Sequence, residues 1–543
     1  MELQFATIWE AIGEQIPNET AVSFGGRRLS WADYERRAAQ LASALQARGI
    51  GKDAKVALFL YNCPEFIESQ FASFKLRAVP VNVNYRYLDD ELVYVLDNSD
   101  SEAVVFHSSL SERIARVRDQ LPRVRLWVEV DDGGAHLDGC VTYEDALCAF
   151  NPLPPITRDG ADVYMLYTGG TTGRPKGVMY QQESFIGQYL TQVPTLMGRT
   201  PCASADEAVA MARQLIDEGA QPSSMPVCPL MHGSGQWAGV FASHLVGGRT
   251  VLLTSRSLDP AEVWSTAEEE TVSSMVIVGD AFARPLLRHL DESERRYDLS
   301  SLRHLYSSGA MLSAGVKDRL LVHIGQLTIV DTIGGSEGAL GTEVTVRGGV
   351  SETAAFQLFP STKVFAEDGT EVAPGSGTIG YLAASGAIPY GYYKDPGKSA
   401  TTFREVDGVR YSFLGDMATV RADGAIHLIG RGNTCINTGG EKVFPEEVEE
   451  AAKTLAGIED CLVFGIADER FGQRVVAVAE RSAGADVGAD GVAEHIREKL
   501  AAYKVPRQVK FVDRVPRTPS GKADYPAARR LFDDVAQTVA EAR

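Results

Sequence analysis

A run rich in glycine and hydroxyl residues, positions 167–177, has the composition of a loop that wraps a polyphosphate. It reads Tyr-Thr-Gly-Gly-Thr-Thr-Gly-Arg-Pro-Lys-Gly. Glycines let backbone N–H groups approach phosphate oxygens, the threonines add hydroxyl donors, and Lys176 adds a positive charge. A Walker loop would place Gly before that lysine and Ser or Thr after it, whereas Pro175 and Gly177 flank it here. The run predicts a phosphate loop for ATP, with a glycine-rich surface turn as the alternative.

Further polar segments follow along the chain, and each has an ordinary explanation when taken alone. A single histidine is more often packed or at the surface than a ligand, an aspartate often marks a turn, and a lysine near a C-terminus is usually solvated. Small residues are also common where a strand passes into a loop. The informative feature is their joint occurrence in one order, at 229–235, 307–311, 333–338, 414–418, 430–442 and 516–522.

Taken together, these segments resemble the adenylate-forming superfamily, which includes acyl-CoA synthetases, peptide-synthetase adenylation domains and luciferases. The resemblance covers nearly the whole chain. It extends to the run Val278–Phe282 and the long segment Met197–Met225, which are most similar to bacterial fatty-acyl and sterol-side-chain CoA ligases. It implies an acid–thiol ligase that uses ATP, Mg²⁺ and CoA.

The resemblance also implies residue roles. Lys522 would bridge the carboxylate and the α-phosphate, Glu337 would bind Mg²⁺, and His232 would gate the carboxylate, with Thr168 as a further catalytic residue. The ATP-binding residues would be Thr168, Gly169, Gly170, Thr171, Thr172, Gly173, Lys176, Ser308, Gly309, Ala310, Ile333, Gly334, Ser336, Asp416, Arg431 and Lys522.

For the thiol step, the resemblance implies a rotation of the C-terminal domain about a hinge at Asn433. The residues beside the CoA tunnel would then be Gly439, Gly440, Glu441 and Lys442. Two positions depart from the family pattern. Ile333 stands where relatives usually carry Tyr, which removes an aromatic surface for adenine, and Asn433 lacks the charge usual at the hinge.

The acid itself is predicted from two observations. No acidic residue occurs in 231–234, the segment where amino-acid-activating relatives hold a substrate ammonium, so we expect an acid without an α-amino group. A predicted helix from Gly235 to Val246 aligns small residues on one face. This face either packs closely on a sheet or lines an acyl site formed with His232 by Gly235, Gly239 and Ala242. We expect a medium-chain, long-chain or polycyclic apolar carboxylate.

Helical and strand periods alternate along most of the chain, which predicts an α/β fold with layered, largely buried sheets. Ser30 to Asp33 forms a capping box that opens a helix, and Val56 to Leu60 is a typical buried strand. After about Gly430 the pattern changes to a helix, two strands and a second helix ending near Tyr503. We expect a large adenylation domain of several subdomains over residues 1–431 and a small, mobile α+β domain over 432–543.

Composition narrows the classes of function. The 543 residues carry a formal net charge of -19, which argues against sequence-independent binding to nucleic acid. Seven scattered cysteines without a CxxC pair fit reduced thiols, and the start lacks a signal-peptide pattern, so we expect a cytoplasmic protein without a membrane segment.

The partners would be a small carboxylic acid, ATP and CoA, with a homodimer left open. Only about twenty residues follow Lys522, which favours free CoA over a fused carrier. The alternatives are an acyl-AMP ligase that loads a separate carrier protein and a non-catalytic nucleotide-binding relative.

Overall fold

The computed structural model describes residues 1–168, 174–431, 434–438, 441–468, 472–518 and 521–532. In these ranges the chain forms mixed α/β layers, followed by a small C-terminal domain. The predicted fold class is therefore confirmed. The expected boundary at 431/432 adjoins residues outside the described ranges and stays a prediction.

The strands of the larger domain are β1 (Thr20–Phe24), β2 (Arg27–Ser30), β3 (Lys55–Phe59), β4 (Val79–Asn82), β5 (Ser101–His107), β6 (Leu126–Val130), β7 (Val141–Thr142), β8 (Val163–Thr168), β9 (Lys176–Gln181), β10 (Ser223–Pro226), β11 (Arg249–Leu252), β12 (Ser274–Ile277), β13 (His304–Ser308), β14 (Thr328–Gly335), β15 (Gly338–Thr345), β16 (Ala355–Leu358), β17 (Thr362–Phe365), β18 (Ile379–Ala384), β19 (Gly391–Tyr392), β20 (Phe403–Val406), β21 (Val409–Val420) and β22 (Ile426–Arg431). Those of the smaller domain are β23 (Ile436–Thr438), β24 (Glu441–Val443), β25 (Ile458–Asp468), β26 (Gly472–Arg481) and β27 (Gln508–Val512).

The α-helices are α1 (Phe5–Gln15), α2 (Trp31–Ala47), α3 (Pro64–Lys75), α4 (Asp89–Asn98), α5 (Ser111–Val117), α6 (Tyr143–Cys148), α7 (Gln182–Leu196), α8 (Ala205–Asp217), α9 (Ala242–His244), α10 (Pro260–Glu269), α11 (Gly279–Glu292), α12 (Ala314–His323), α13 (Pro396–Thr402), α14 (Pro445–Lys453) and α15 (Ala489–Lys499). Short 3₁₀ turns cover Ser108–Leu110, Arg118–Gln120 and Ala502–Lys504, and a π-helix covers Gly235–Phe241.

The strands combine into four sheets. The longest runs β17-β18-β21-β22-β16-β15-β14-β13-β12-β10-β11-β1-β2, with β20 on β21, and is parallel from β14 through β13, β12, β10 and β11 to β1. A five-stranded parallel sheet has the order β4-β3-β5-β6-β7, and β8 and β9 form an antiparallel hairpin extended by β19. In the smaller domain the order is β24-β23-β26-β25, with β27 on β26. The carboxyl ends of parallel strands such as β13 are the usual place for ligand sites in folds of this type.

Local sequence signals explain several element ends. Ser30 caps α2 by accepting a hydrogen bond from the Asp33 N–H, as the capping box predicts. The last predicted helix ends earlier than expected, because Leu500 adopts an extended backbone and places Tyr503 in a separate 3₁₀ turn. None of the helices in the described ranges combines the length and the apolar composition that a membrane span needs.

Candidate active site

The predicted phosphate-binding run, residues 167–177, begins in β8 and ends in β9, and these two strands pair antiparallel. Thr168, the last residue of β8, lies directly opposite Lys176, the first residue of β9. The five loop residues predicted to bind phosphate, Gly169, Gly170, Thr171, Thr172 and Gly173, lie outside the described residues. The ammonium of Lys176 is 2.5 Å from a carboxylate oxygen of Asp395, which caps α13. The hydrogen bond from Lys176 lowers the pKa of Asp395.

Two tyrosines connect this hairpin with the predicted metal-binding glutamate. The Tyr392 hydroxyl donates to Oε1 of Glu337 at 2.7 Å, and the Tyr180 hydroxyl donates to the carbonyl oxygen of Ser336 at 2.9 Å. Burial, followed by the nearby Glu337 carboxylate, raises the pKa of Tyr392, so this hydroxyl remains a donor. Tyr180 and Tyr392 therefore fix the turn between β14 and β15 against the hairpin base.

Asn82 joins the hairpin to the segment that carries His232. Its amide nitrogen donates to the carbonyl oxygens of Tyr167 at 2.7 Å and Met231 at 2.6 Å, while its amide oxygen accepts from the Tyr167 N–H at 2.7 Å. Asn82 is buried at the end of β4. One side chain thus sets the spacing between the residue before Thr168 and the residue before His232.

His232 presents a neutral ring to the site. Its Nε2 atom is buried and has no hydrogen-bond partner within the described ranges. Burial, with smaller contributions from the positive charges of Lys522 and Arg86, lowers the pKa of His232 to about 4. An unpaired ring nitrogen beside a lysine fits a ligand that brings its own hydrogen-bonding groups, as a carboxylate and a phosphate would.

The Lys522 loop enters the same cleft from the smaller domain. A Cβ atom placed on Gly309 would lie 3.7 Å from Cε of Lys522. Gly309 follows β13 with a φ of +83°, a conformation that favours glycine. The neighbouring Ser308 hydroxyl is 2.9 Å from the Ser234 hydroxyl, and the Ser234 oxygen would lie 3.8 Å from the same Cβ on Gly309, so Gly309 and Ser234 lie beside the lysine. ATP binding by Ser308, Gly309 and Ala310 stays a prediction.

Asp416 and Arg431 occupy opposed positions on β21 and β22. Their Cα atoms are partners in the antiparallel register, and the Asp416 side chain is buried. Gly415 precedes Asp416 with a φ of +90°. The carboxylate predicted to hold the ribose and the arginine predicted to contact the nucleotide are thus placed at one point of the sheet.

Ile333 lies in the hydrophobic core. It is 7 % exposed and packs in a cluster with Leu340, Phe356 and Leu382. Its backbone pairs with Gly341, and a register shift follows at Gly334. The side chain that replaces the family tyrosine therefore contributes to the core between β14 and the neighbouring strands.

The predicted helix of small residues has a different geometry. Residues Gly235–Phe241 form a π-helix, and only Ala242–His244 continue as an α-helix, so a regular helical face does not run through them. A Cβ on Gly239 would lie 2.7 Å from Cβ of Pro226 in β10, and one on Gly235 would lie 2.6 Å from the Pro229 carbonyl oxygen. At Gly239 close packing on β10 accounts for the small residue, and at Gly235 the close approach of the loop carbonyl of Pro229 does so. Acyl binding by Gly235, Gly239 and Ala242 stays a prediction.

The structure describes only some of the residues predicted to form the hinge and to bind CoA. Asn433, Gly439 and Gly440 lie outside the described residues. Glu441 and Lys442 are in β24, where their backbones pair with Thr438 and Asn437. The hinge and CoA assignments therefore stay predictions.

The metal prediction rests on Glu337. In the described part of the chain no group of three or more His, Cys, Asp or Glu side chains is placed to hold a metal. Mg²⁺ is commonly held by one or two carboxylates together with substrate phosphates and water. The single carboxylate of Glu337, fixed by Tyr392, fits that mode of binding.

A cavity of ≈ 810 Å³ lies between the two domains beside this site. Its wall includes Tyr61, Tyr85 and Arg86 from the larger domain and Thr518 and Gly521 from the smaller one. The cavity therefore borders the place where Gly521 of the smaller domain packs against Ala281 and Phe282.

The contacts made by Asn82, Tyr180, Tyr392 and Asp395 were not anticipated from sequence. These residues lie far from their partners along the chain, and their roles depend on the pairing of β19 with β9 and of β8 with β9. The pattern Gly-Tyr-Tyr-Lys-Asp at 391–395 is the one local signal that could have pointed to them.

Comparison with known proteins defines the class. The AMP-binding enzyme family matches residues 9–393, and the AMP-binding enzyme C-terminal domain matches residues 447–522. The chain belongs to the AMP-binding enzyme family.

Similar proteins include ligases with named substrates. A 3-oxocholest-4-en-26-oate–CoA ligase of Rhodococcus rhodochrous is 40% identical over 543 residues, covering 97% of this chain and 95% of the relative. A medium/long-chain-fatty-acid–CoA/3-oxocholest-4-en-26-oate–CoA ligase of Mycobacterium tuberculosis (strain ATCC 25618 / H37Rv) is 39% identical and covers 98% of both chains. Among solved structures, the anthranilate CoA ligase AuaEII with anthranoyl-AMP has a TM-score of 0.82 at 23% identity and covers 99% of both chains, a likeness of fold.

Proposed function

We propose that this protein is an AMP-forming acyl-CoA ligase. A carboxylate oxygen of the acid would bond to the α-phosphorus of ATP as pyrophosphate leaves. The sulfur of CoA would then bond to the acyl carbon, and AMP would leave with the transferred oxygen. The observation that supports this proposal is the convergence of Lys522, Gly309 and His232 in one cleft.

The proposed roles follow from charge. Negative charge develops on the α-phosphate during the first step, and preorganised positive groups stabilise such a transition state most strongly in a site that excludes water. Lys522 would supply this charge at the α-phosphate, and Lys176 would hold the outer phosphates. His232, neutral because of its low pKa, would orient the carboxylate without protonating it. Mg²⁺, when bound at Glu337, would neutralise charge on the phosphates.

The acid is proposed to be apolar. The two named relatives act on medium- and long-chain fatty acids or on a sterol side-chain acid, and no acidic residue at 231–234 is present to hold a substrate ammonium. We propose that this chain activates acids of the same classes.

The second step is proposed to follow a rotation of the smaller domain about Asn433. This movement would withdraw Lys522 and bring Gly439, Gly440, Glu441 and Lys442 to the thiol path. We further propose that the enzyme acts in the cytoplasm. We also propose that it forms a homodimer, and sedimentation analysis of the purified full chain would test this oligomeric state.

The experiment is product analysis by mass spectrometry. The enzyme is incubated with ATP, Mg²⁺, CoA and one acid from a panel of short, medium, long and sterol-derived carboxylic acids. The proposal expects AMP, pyrophosphate and the acyl-CoA of an apolar acid. Accumulation of acyl adenylate without acyl-CoA would favour the carrier-loading alternative, and consumption of no ATP with any acid would favour a non-catalytic relative.

A further inference from the structure

The arginine at the start of the Lys522 loop has a fixed partner in the smaller domain. Arg517 donates from Nε to Oδ2 of Asp460 and from Nη2 to Oδ1, each at 2.6 Å. Asp460 lies in β25, and the Arg517 side chain is 21% exposed. Two parallel bonds between a planar guanidinium and a carboxylate restrict both groups to one orientation.

A third bond links Arg517 to the catalytic end of the loop. Its Nη1 donates to the carbonyl oxygen of Gly521 at 3.2 Å, and Gly521 immediately precedes Lys522. The loop is closed further by the Thr518 N–H, which donates to the Lys522 carbonyl oxygen at 2.7 Å. Arg517 therefore ties the backbone at Lys522 to a strand of the smaller domain.

The opposite side of the loop rests on the larger domain. Gly521 has a φ of +76°, and a Cβ placed there would lie 3.1 Å from Cβ of Ala281 and 3.2 Å from the ring of Phe282. These two residues lie in the first turn of α11. The Lys522 backbone is held between Arg517 on one side and α11 on the other.

We propose that Arg517 is a positioning residue that holds Lys522 for the adenylation step. This inference rests on the proposed function. A lysine side chain has many rotamers, so the backbone that carries it must be fixed if its ammonium is to meet a developing charge. Because Lys522 serves only the first step, a positioning role for Arg517 affects that step and leaves the thiol step intact.

The variants are Arg517→Ala, Arg517→Lys and Asp460→Asn, with Arg514→Ala as the matched control. Arg514 is exposed, lies three residues earlier and carries the same charge. Two rates are measured for each protein: formation of acyl adenylate from ATP and acid in a single turnover, and formation of acyl-CoA from supplied acyl adenylate.

We expect Arg517→Ala to slow adenylate formation by about 10- to 100-fold at saturating ATP, with little change in the KM for ATP, as for a catalytic group displaced by about 1 Å. Acyl-CoA formation from supplied adenylate should match the wild type. Arg517→Lys should recover part of the rate, because an ammonium can reach one acceptor but cannot form the bidentate pair. Asp460→Asn, which keeps the shape of the side chain, should lower the same rate.

A second readout does not require turnover. The rate of acylation of Lys522 by an amine-specific reagent, followed by mass spectrometry in the presence of ATP, should change in Arg517→Ala and Asp460→Asn but not in Arg514→Ala. An equal loss in both half-reactions, or a wild-type adenylation rate in Arg517→Ala, would overturn the assignment. If the wild-type enzyme itself forms no acyl adenylate, the proposed function fails, and this inference fails with it.

Discussion

Lys522 of the smaller domain reaches Gly309 of the larger domain, with its Cε atom 3.7 Å from the position that a Cβ on Gly309 would occupy. Gly309 directly follows the last residue of β13 and lies at the carboxyl edge of the parallel part of the long sheet. This contact places Lys522 beside the carboxyl edge of the parallel strands, where its proposed role requires it. Ion pairs between them, Lys453 with Asp280 at 3.9 Å and Arg288 with Glu459 at 2.5 Å, accompany this arrangement.

Replacing Lys522 with Ala should separate the two half-reactions. Loss of one preorganised charge at the α-phosphate should slow adenylate formation by about a hundredfold or more. Acyl-CoA formation from supplied acyl adenylate should be largely spared. Rapid-quench measurement of each step checks this, with Lys52→Ala, an exposed lysine in the turn before β3, as the control. Equal damage to both steps would refute the role of Lys522.

His232 should remain neutral well below the ordinary pKa of histidine. Its pKa is about 4 in the folded protein and 6.5 when exposed, so between these values the unfolded chain binds the extra proton. Above pH 6.5 the ring is neutral in both states, and its burial does not lower the free energy of unfolding. As the pH falls from 6.5 towards 4, the unfolded chain takes up the proton first, and the free energy of unfolding decreases.

Thermal unfolding of wild type and His232→Gln at pH 7.5 and pH 5 (about 1 unit above and about 1.5 units below the exposed value) tests this, and the variant should lose less stability on acidification. Because the Lys522 charge contributes to the low pKa, Lys522→Ala should raise the pKa of His232 as measured by NMR. A His232 ring that titrates near its ordinary value in the wild type would contradict the described burial.

Gly239→Leu should destabilise the protein without changing its preference among acids. The Cβ would lie 2.7 Å from Cβ of Pro226, so overpacking should cost about 1 to 3 kcal/mol of folding free energy. Melting temperatures and kcat/KM across the acid panel are the measurements. Gly315→Leu, where a Cβ meets nothing within 4 Å, is the control. A variant of normal stability with a selective loss of long acids would show instead that this face lines the acyl site.

Ile333→Tyr should also act through packing. The Ile333 side chain is 7 % exposed within an apolar cluster, so the larger tyrosine side chain should lower the free energy of unfolding by about 1 to 3 kcal/mol. Ile333→Leu, which conserves volume, should cost less than about 1.5 kcal/mol. Calorimetry of unfolding and of ATP binding distinguishes this from a direct adenine contact. Tighter ATP binding with an unchanged melting temperature would show that the ring can reach the nucleotide.

The layered fold could be predicted from the sequence because it depends on local periodicity. The candidate site segments could be predicted because they depend on motif composition. The capping of α2 by Ser30 is one such local feature. The π-helix at Gly235–Phe241 was not predicted, since hydrophobic spacing does not distinguish it from an α-helix over two turns. Contacts such as Asn82 with Met231 join residues far apart in the chain, and they depend on how separate sheets pack together.

Transfer of an oxygen isotope from the acid to AMP shows whether the acid is activated by bonding to the α-phosphate of ATP. The enzyme is incubated with ATP, CoA and an apolar acid whose carboxylate carries a heavy oxygen isotope, and the nucleotide product is analysed by mass spectrometry. We expect AMP that contains one heavy oxygen atom, because the carboxylate oxygen remains on phosphorus when the thiol takes the acyl group. Formation of ADP with labelled phosphate, or of unlabelled AMP together with acyl-CoA, would rule out activation through an acyl adenylate.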